Sequence, residues 1–163
     1  MTRILELDYL VPAEPAHVYA QYLDRGFIQD RLAASAGQAA TLVEHSIHGD
    51  ELTIVVSTSV PRTRLPRAVR GFVRGEPTYT RTEQWHARAE GYHCELGLDL
   101  AGPPSTIHGT VVLAASEPGT SVVRFRVEIT VAVPIFGHEV EESIASEIED
   151  AIGAEVRFGT ERL

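Results

Sequence analysis

The chain has 163 residues, of which 44% are hydrophobic and 23% are charged, as in an ordinary soluble globular domain. Its net charge of −9 disfavours general nucleic-acid binding, because phosphate repels such a surface on average. No apolar run approaches a membrane span, and the N-terminal segment lacks the apolar stretch of a signal peptide. We therefore expect one domain, residues 1–163, in a cytoplasmic protein. The single cysteine, Cys94, excludes an intrachain disulfide and is expected to be a small buried side chain.

The first part of the chain is predicted to form a strand, two short helices and a hairpin. Residues 3–11 form the strand, and Glu14-Pro15 begins a helix with a carboxylate near its positive end. Gly26 is expected to break this helix, and a second one follows to about Ser35. Residues 41–47 and 52–60 flank a short turn, which predicts a β-hairpin.

The remaining chain is predicted to be a run of strands followed by one helix. Residues 65–73 form a short helix or turn, and strands follow at 79–89, 92–100, 107–115 and 120–133. In the last strand, apolar side chains from Val123 to Val133 alternate with charged or polar ones from Arg124 to Thr130, which is typical of an antiparallel sheet with one buried face. A run of strands with segregated helices predicts an α+β fold.

The terminal helix carries two carboxylates on the face that should be buried. A helical wheel places Glu141 and Glu155 inside an apolar arc that includes Ile144 and Ile148. An ionised carboxylate is not buried without a partner. Glu141 therefore either places its charge near the helix N-terminus in solvent or marks a polar spot in a ligand pocket. Glu155 either lies in a frayed last turn, pairs with an arginine, or belongs to that pocket.

A second polar anomaly lies in the strand that contains the only tryptophan. Arg81, Glu83 and Trp85 alternate, so their side chains leave the sheet on one side. We predict that this side faces the terminal helix, although a tryptophan that caps an edge beside a solvated pair is the alternative. Arg81 then needs an anion, and Glu83 or Glu155 is available. Two bound carboxylates would make a structural clamp, whereas free donors would make Arg81 a ligand anchor.

Histidines and arginines provide the other candidate groups. The seven histidines lack metal-binding spacing, and no phosphate loop or nucleophile elbow occurs, so no metal, cofactor or catalytic residue is assigned. His45 is expected to share a face with Val43 and Ile47, either as a hydrogen-bonded core residue or as part of a cavity wall. A basic stretch is either a solvated face or a weak contact with an anionic membrane, and its members are Arg67, Arg70 and Arg74 on one predicted helical face.

The order of elements resembles a known superfamily. The segments that carry the resemblance are His17-Val18-Tyr19-Ala20, Leu65-Pro66, Glu83-Gln84-Trp85, Gly102-Pro103-Pro104, Val133-Pro134-Ile135-Phe136-Gly137 and Glu141. With them the chain resembles START-like proteins, also called SRPBCC or helix-grip proteins, a group shared with the birch-pollen allergens. Within that group it looks like an actinobacterial family of domains of unknown function. The resemblance implies a curved antiparallel sheet of about seven strands around a long C-terminal helix, two short helices after the first strand, and a hydrophobic cavity.

The resemblance also implies what the cavity is for, since superfamily members bind lipids, sterols or polyketide-like molecules. We expect a small-molecule or lipid-binding protein, monomeric or dimeric, that does not bind nucleic acid. The predicted ligand-binding residues are Tyr19, His45, Arg81, Glu83, Trp85, Leu98, Phe125, Glu141, Ile144, Ile148 and Glu155. One alternative is a cyclase or dehydratase acting on a polyketide or aromatic substrate, with Glu83, Glu141 or Glu155 as acid or base. The other is a protein-interaction module with a filled core.

Overall fold

The structure is a computed structural model that describes residues 2–65, 67–71, 73–102 and 104–163. Its strands are β1 (Thr2–Val11), β2 (Ala40–His48), β3 (Glu51–Ser59), β4 (Thr78–Arg88), β5 (Gly91–Leu100), β6 (Ser105–Ala115) and β7 (Ser121–Val131). Its helices are α1 (Pro15–Leu23), α2 (Arg25–Ala36), α3 (Arg67–Arg70) and α4 (Gly137–Glu161). None of the helices in these ranges is long and apolar enough to cross a membrane.

The seven strands form one antiparallel sheet in the order β1-β7-β6-β5-β4-β3-β2. Helix α4 packs on β1 and β7, and α2 packs on both α4 and β2. The two helices thereby cover one face of the sheet, and the predicted α+β helix-grip architecture is confirmed.

The two faces of the sheet differ as the alternation predicts. On β7 the inward side chains of Val123, Val127 and Ile129 are buried. On the other face Arg126 is half exposed and its Nη1 lies 2.8 Å from Oε1 of Glu128. The prediction of one buried and one wet face is confirmed for this strand.

The break between the first two helices lies at Asp24, two residues earlier than predicted. Asp24 ends α1 and caps α2, because its Oδ1 accepts hydrogen bonds from the backbone N–H groups of Gly26 at 2.9 Å and Phe27 at 3.3 Å. Gly26 therefore lies in the first turn of α2 rather than at a break, and the prediction that it interrupts the helix is wrong.

A β-bulge changes which side chains of β2 face inward. Leu42 pairs with Val56 but Glu44 pairs with Val55, which leaves Val43 as the extra residue. Val43 is 59% exposed, whereas His45 pairs with the buried Ile54. The expectation that Val43 and His45 share a face is wrong, since strict alternation does not survive a bulge.

The basic stretch after β3 is not a single helical face. Helix α3 ends at Arg70, so Arg74 lies beyond it. The Arg70 guanidinium donates hydrogen bonds to the carbonyls of Leu65 at 3.1 Å and Thr63 at 3.2 Å, and it therefore organises the loop. Contact of Arg67, Arg70 and Arg74 with an anionic membrane stays a prediction. Pro66 and Phe72, within the predicted helix or turn, and Pro103 lie outside the described residues.

Candidate ligand-binding cavity

A cavity of about 570 Å³ lies between the sheet and the helices that cover it. Known small-molecule sites typically have volumes of ~300–1,000 Å³, so this one is large enough for a drug-sized ligand. Its walls are mainly apolar, with side chains from α2, the sheet and α4, including Phe27, Leu32, Val56, Trp85, Leu98, Phe125, Ile144, Ile148 and Val156.

Most residues predicted to bind ligand lie on these walls. They are Arg81, Glu83, Trp85, Leu98, Phe125, Ile144, Ile148 and Glu155. Their location follows from the alternation of the strands and the apolar arc of α4. Their binding of a ligand stays a prediction.

Tyr19 and His45 do not lie on the cavity wall. The Tyr19 ring stacks on that of Tyr92 with centroids 3.9 Å apart, and burial, followed by the fields of Tyr92 and Cys94, raises the pKa of Tyr19 to about 12. His45 Nε2 lies 2.9 Å from the backbone carbonyl oxygen of Tyr22. Both side chains pack between α1 and the sheet, and His45 fits the predicted alternative of a hydrogen-bonded core residue. Contact of Tyr19 and His45 with a ligand stays a prediction.

Glu141 is also away from the cavity, and it is fully buried. Its Oε2 accepts a hydrogen bond of 2.8 Å from the backbone N–H of Val131, the last residue of β7. Within the described residues its Oε1 has no hydrogen-bond partner. Glu141 therefore joins β7 to α4, which neither the solvent-exposed nor the pocket interpretation predicted.

The polar end of the cavity is an ion-pair cluster centred on Arg81. Its Nη2 and Nη1 donate to the two carboxylate oxygens of Glu155 at 2.7 Å and 3.2 Å, a bidentate pair. Its Nε lies 3.2 Å from Oε2 of Glu83, a close ionic contact without hydrogen-bond alignment. Glu83 Oε1 accepts a 3.0 Å hydrogen bond from Trp85 Nε1. This strand face therefore does point at α4, and both carboxylates bind Arg81 as in the predicted structural clamp.

The charges of the clamp stabilise one another. Burial disfavours the Glu155 carboxylate, yet the fields of Arg81 and then Arg31 hold its pKa below the ordinary value. Burial likewise disfavours the Arg81 cation, but Glu155 and then Glu83 raise its pKa further above the usual range. The pair is therefore ionised at neutral pH.

Sequence reasoning missed Arg31 and Tyr22. Arg31, on α2, is only 7% exposed and lies on the cavity wall. Its guanidinium carbon lies 5.5 Å from the centroid of the Tyr22 ring. Burial, partly offset by Arg31, raises the pKa of Tyr22 to about 12. The available signal was the position of Arg31 beside Leu32 and one turn after Phe27, on the buried face of a short helix.

The same cavity offers no metal site in the described part of the chain, where no three His, Cys, Asp or Glu side chains converge. Cys94 is fully buried, and burial followed by the field of Glu83 raises the pKa of its thiol well above the ordinary value.

A seven-stranded antiparallel sheet that packs around a long terminal helix is the START-like, or helix-grip, fold. Solved structures share this fold. A START superfamily protein from Mycobacterium smegmatis is 12% identical, with a TM-score of 0.56 over 98% of this chain and 97% of that one. An aromatase/cyclase, Zhui, from Streptomyces sp. R1128 is 11% identical, with a TM-score of 0.61 over 99% of this chain and 93% of that one. Norcoclaurine synthase from Thalictrum flavum is 12% identical, with a TM-score of 0.61 over 96% of this chain and 86% of that one. At these identities the likeness concerns the fold alone.

Residues 7–163 match the family described as "Protein of unknown function (DUF2505)", and the chain belongs to that family. Similar relatives include uncharacterized protein Rv0481c of Mycobacterium tuberculosis and uncharacterized protein Mb0491c of Mycobacterium bovis. Each is 26% identical over an alignment 163 positions long, which covers 96% of this chain and 92% of the relative. The sequence-based assignment to an actinobacterial family of unknown function is confirmed.

Proposed function

We propose that the protein binds a largely apolar small molecule or lipid between its sheet and α4. The observation that carries the proposal is the cavity of about 570 Å³. Protein cores are close-packed, and their voids rarely exceed the size of a water molecule. A space of this size is therefore typical of a ligand-binding site rather than of a packed core. The apolar walls supply binding energy, and the few polar groups at one end supply orientation.

The catalytic alternative has weaker support. A cyclase or dehydratase would need a carboxyl whose pKa is raised toward neutrality if it is to donate a proton. The Arg81 guanidinium instead binds Glu83 and lowers the pKa of Glu155, and Glu141 lies away from the cavity. Solved relatives with enzymatic names share only the fold. A protein-interaction module with a filled core is disfavoured by the cavity itself.

Binding can be tested with Nile red, a neutral apolar dye whose emission rises in an apolar site. Ala151, on the cavity wall, is replaced by Phe to fill the space. Ser146, an exposed residue of the same helix, is replaced by Phe as the matched control. We expect saturable dye binding in the wild type and in Ser146→Phe, and a dissociation constant at least several-fold higher in Ala151→Phe.

Two results would contradict the proposal. One is a wild-type protein that takes up no Nile red and, in native mass spectrometry after mild purification, carries no bound small molecule. The other is a dye affinity that Ala151→Phe leaves unchanged while circular dichroism shows both variants folded, because the dye would then occupy a surface.

A further inference from the structure

The cavity wall contains a buried cation whose hydrogen-bonding capacity the described residues do not use. Arg31 is 7% exposed, and its Nε has no hydrogen-bond partner in the ranges that the structure covers. No carboxylate of those ranges lies within 4.0 Å of its guanidinium. The Tyr22 ring, whose centroid lies 5.5 Å from the guanidinium carbon, stabilises the positive charge but accepts no directed hydrogen bond from the N–H groups in the guanidinium plane. Because a guanidinium has five N–H donors and Arg31 lies on the cavity wall, its unused donors are available to an acceptor in the cavity.

The charge balance around Arg31 indicates what kind of acceptor fits. Arg31 and Arg81 contribute two positive charges, and Glu83 and Glu155 contribute two negative ones, so the buried cluster is neutral. Exposed side chains elsewhere on the cavity wall, namely Arg64, Glu147 and Asp150, add one positive and two negative charges. An anionic ligand would place a further negative charge beside Glu155 in a poorly solvated site. A neutral acceptor would use the free donors and leave the balance undisturbed.

We infer that Arg31 anchors a neutral hydrogen-bond acceptor, the carbonyl oxygen of a ketone, quinone, ester or amide, on an otherwise apolar ligand. The inference rests on the proposed function, since it names the ligand class for the same cavity. Arg81 is bound by two carboxylates and serves as a support, whereas Arg31 is the group that contacts the ligand. The sequence alone leaves Arg81 open as a structural clamp or a ligand anchor and assigns no role to Arg31.

Three naphthalenes of similar shape separate the possibilities. They are the neutral ketone 6-propionyl-2-(dimethylamino)naphthalene, its 6-propyl analogue without an acceptor, and the anionic 6-(dimethylamino)-2-naphthoate. Dissociation constants are measured by fluorescence for the wild type, Arg31→Met and Arg25→Met. Arg25 is an exposed arginine at the start of the same helix and provides the matched control.

Hydrogen bonds to charged groups contribute enough to change affinity about tenfold or more. We expect Arg31→Met to raise the ratio of the ketone's dissociation constant to that of the propyl compound by about tenfold or more. Arg25→Met should leave this ratio unchanged. The wild type should bind the ketone more tightly than the naphthoate.

The inference is overturned if Arg31→Met leaves the ratio unchanged, or if the naphthoate is the tightest ligand and loses its advantage in that variant. In either case binding of the propyl compound to the wild type shows that the cavity hypothesis survives. If the wild type binds neither the neutral naphthalenes nor Nile red and carries no bound small molecule in native mass spectrometry, the proposed function fails as well. If Arg31→Met does not fold, the infrared carbonyl stretch of the ketone bound to the wild type tests whether Arg31 anchors the ligand. A lowered frequency relative to an aprotic solvent supports the anchor, and an unshifted one overturns it.

Discussion

Replacing Arg81 by Met is expected to be among the most damaging single changes at the cavity. Methionine fills much of the same volume but removes both hydrogen bonds to Glu155 and the 3.2 Å contact with Glu83. The two carboxylates, with side-chain exposures of 12% and 10%, then lose their shared cation while they remain buried. The variant therefore reports how strongly the clamp depends on its central charge.

Removing one partner of a buried ion pair costs about 3–5 kcal/mol of folding stability. Arg31 can reorient toward Glu155 and offset part of this loss, so we expect a decrease of about 3 kcal/mol. For a chain of this size the melting temperature should fall by roughly 6–12 °C. Urea unfolding followed by circular dichroism gives the free energy directly, provided that the denaturant slope is unchanged.

The matched control is Arg124→Met on the wet face of β7. Arg124 is 61% exposed at its side chain and lies 3.7 Å from Asp8, so its loss should change stability by less than about 1 kcal/mol. The double variant Arg81→Met with Glu155→Met should lose less than the sum of the single variants. The clamp as described is refuted if Arg81→Met and Arg124→Met are equally stable.

Three further predictions concern buried polar groups. Since the folded-state pKa of Glu155 is lowered, its contribution to folding stability is present above the unfolded pKa of ~4.3 and is lost as pH falls through the folded value. Folding stability should therefore fall less steeply with acid in Glu155→Gln than in the wild type. Equal slopes would count against the assignment. Glu141→Ala should lower stability by about 1–3 kcal/mol, because the Val131 N–H loses its acceptor. Glu141→Gln should lose less stability. Equal losses in denaturant titrations would contradict the role of Glu141 as the acceptor for Val131. The buried Cys94, whose pKa is raised by burial, should react with Ellman's reagent only after unfolding, so rapid reaction of the folded protein at pH 8 would show that its surroundings are open.

The alternation of apolar residues was sufficient to predict most of the architecture. Period-two patterns located the strands, and the apolar arc placed Ile144, Ile148 and Glu155 on the inner face of α4. The same logic placed Arg81 and Trp85 beside that helix. These predictions succeeded because a one-residue shift in register would have moved charged side chains into the core.

The errors arose where local geometry depends on tertiary contacts. The bulge at Val43 has no distinctive residue, so the displacement of the β2 alternation could not be predicted. Glu141 was misplaced because its acceptor role depends on the end of β7, which only the packed structure brings to it. Arg31 was missed because short helices are usually solvated on one side, and its burial requires both α4 and the sheet.

The central claim, that a ligand occupies the space between sheet and helix, is tested most directly through Trp85. The chain contains a single tryptophan, which is 3% exposed and lies on the cavity wall. Bromine quenches tryptophan emission at contact distance, so 5-bromodecanamide, compared with unbrominated decanamide, reports entry into the cavity itself. The account predicts saturable, bromine-dependent quenching of Trp85 in the wild type and in Ser146→Phe, and its loss in Ala151→Phe. Trp85 emission that is equally unaffected by both amides, or quenching that Ala151→Phe leaves intact, would contradict it.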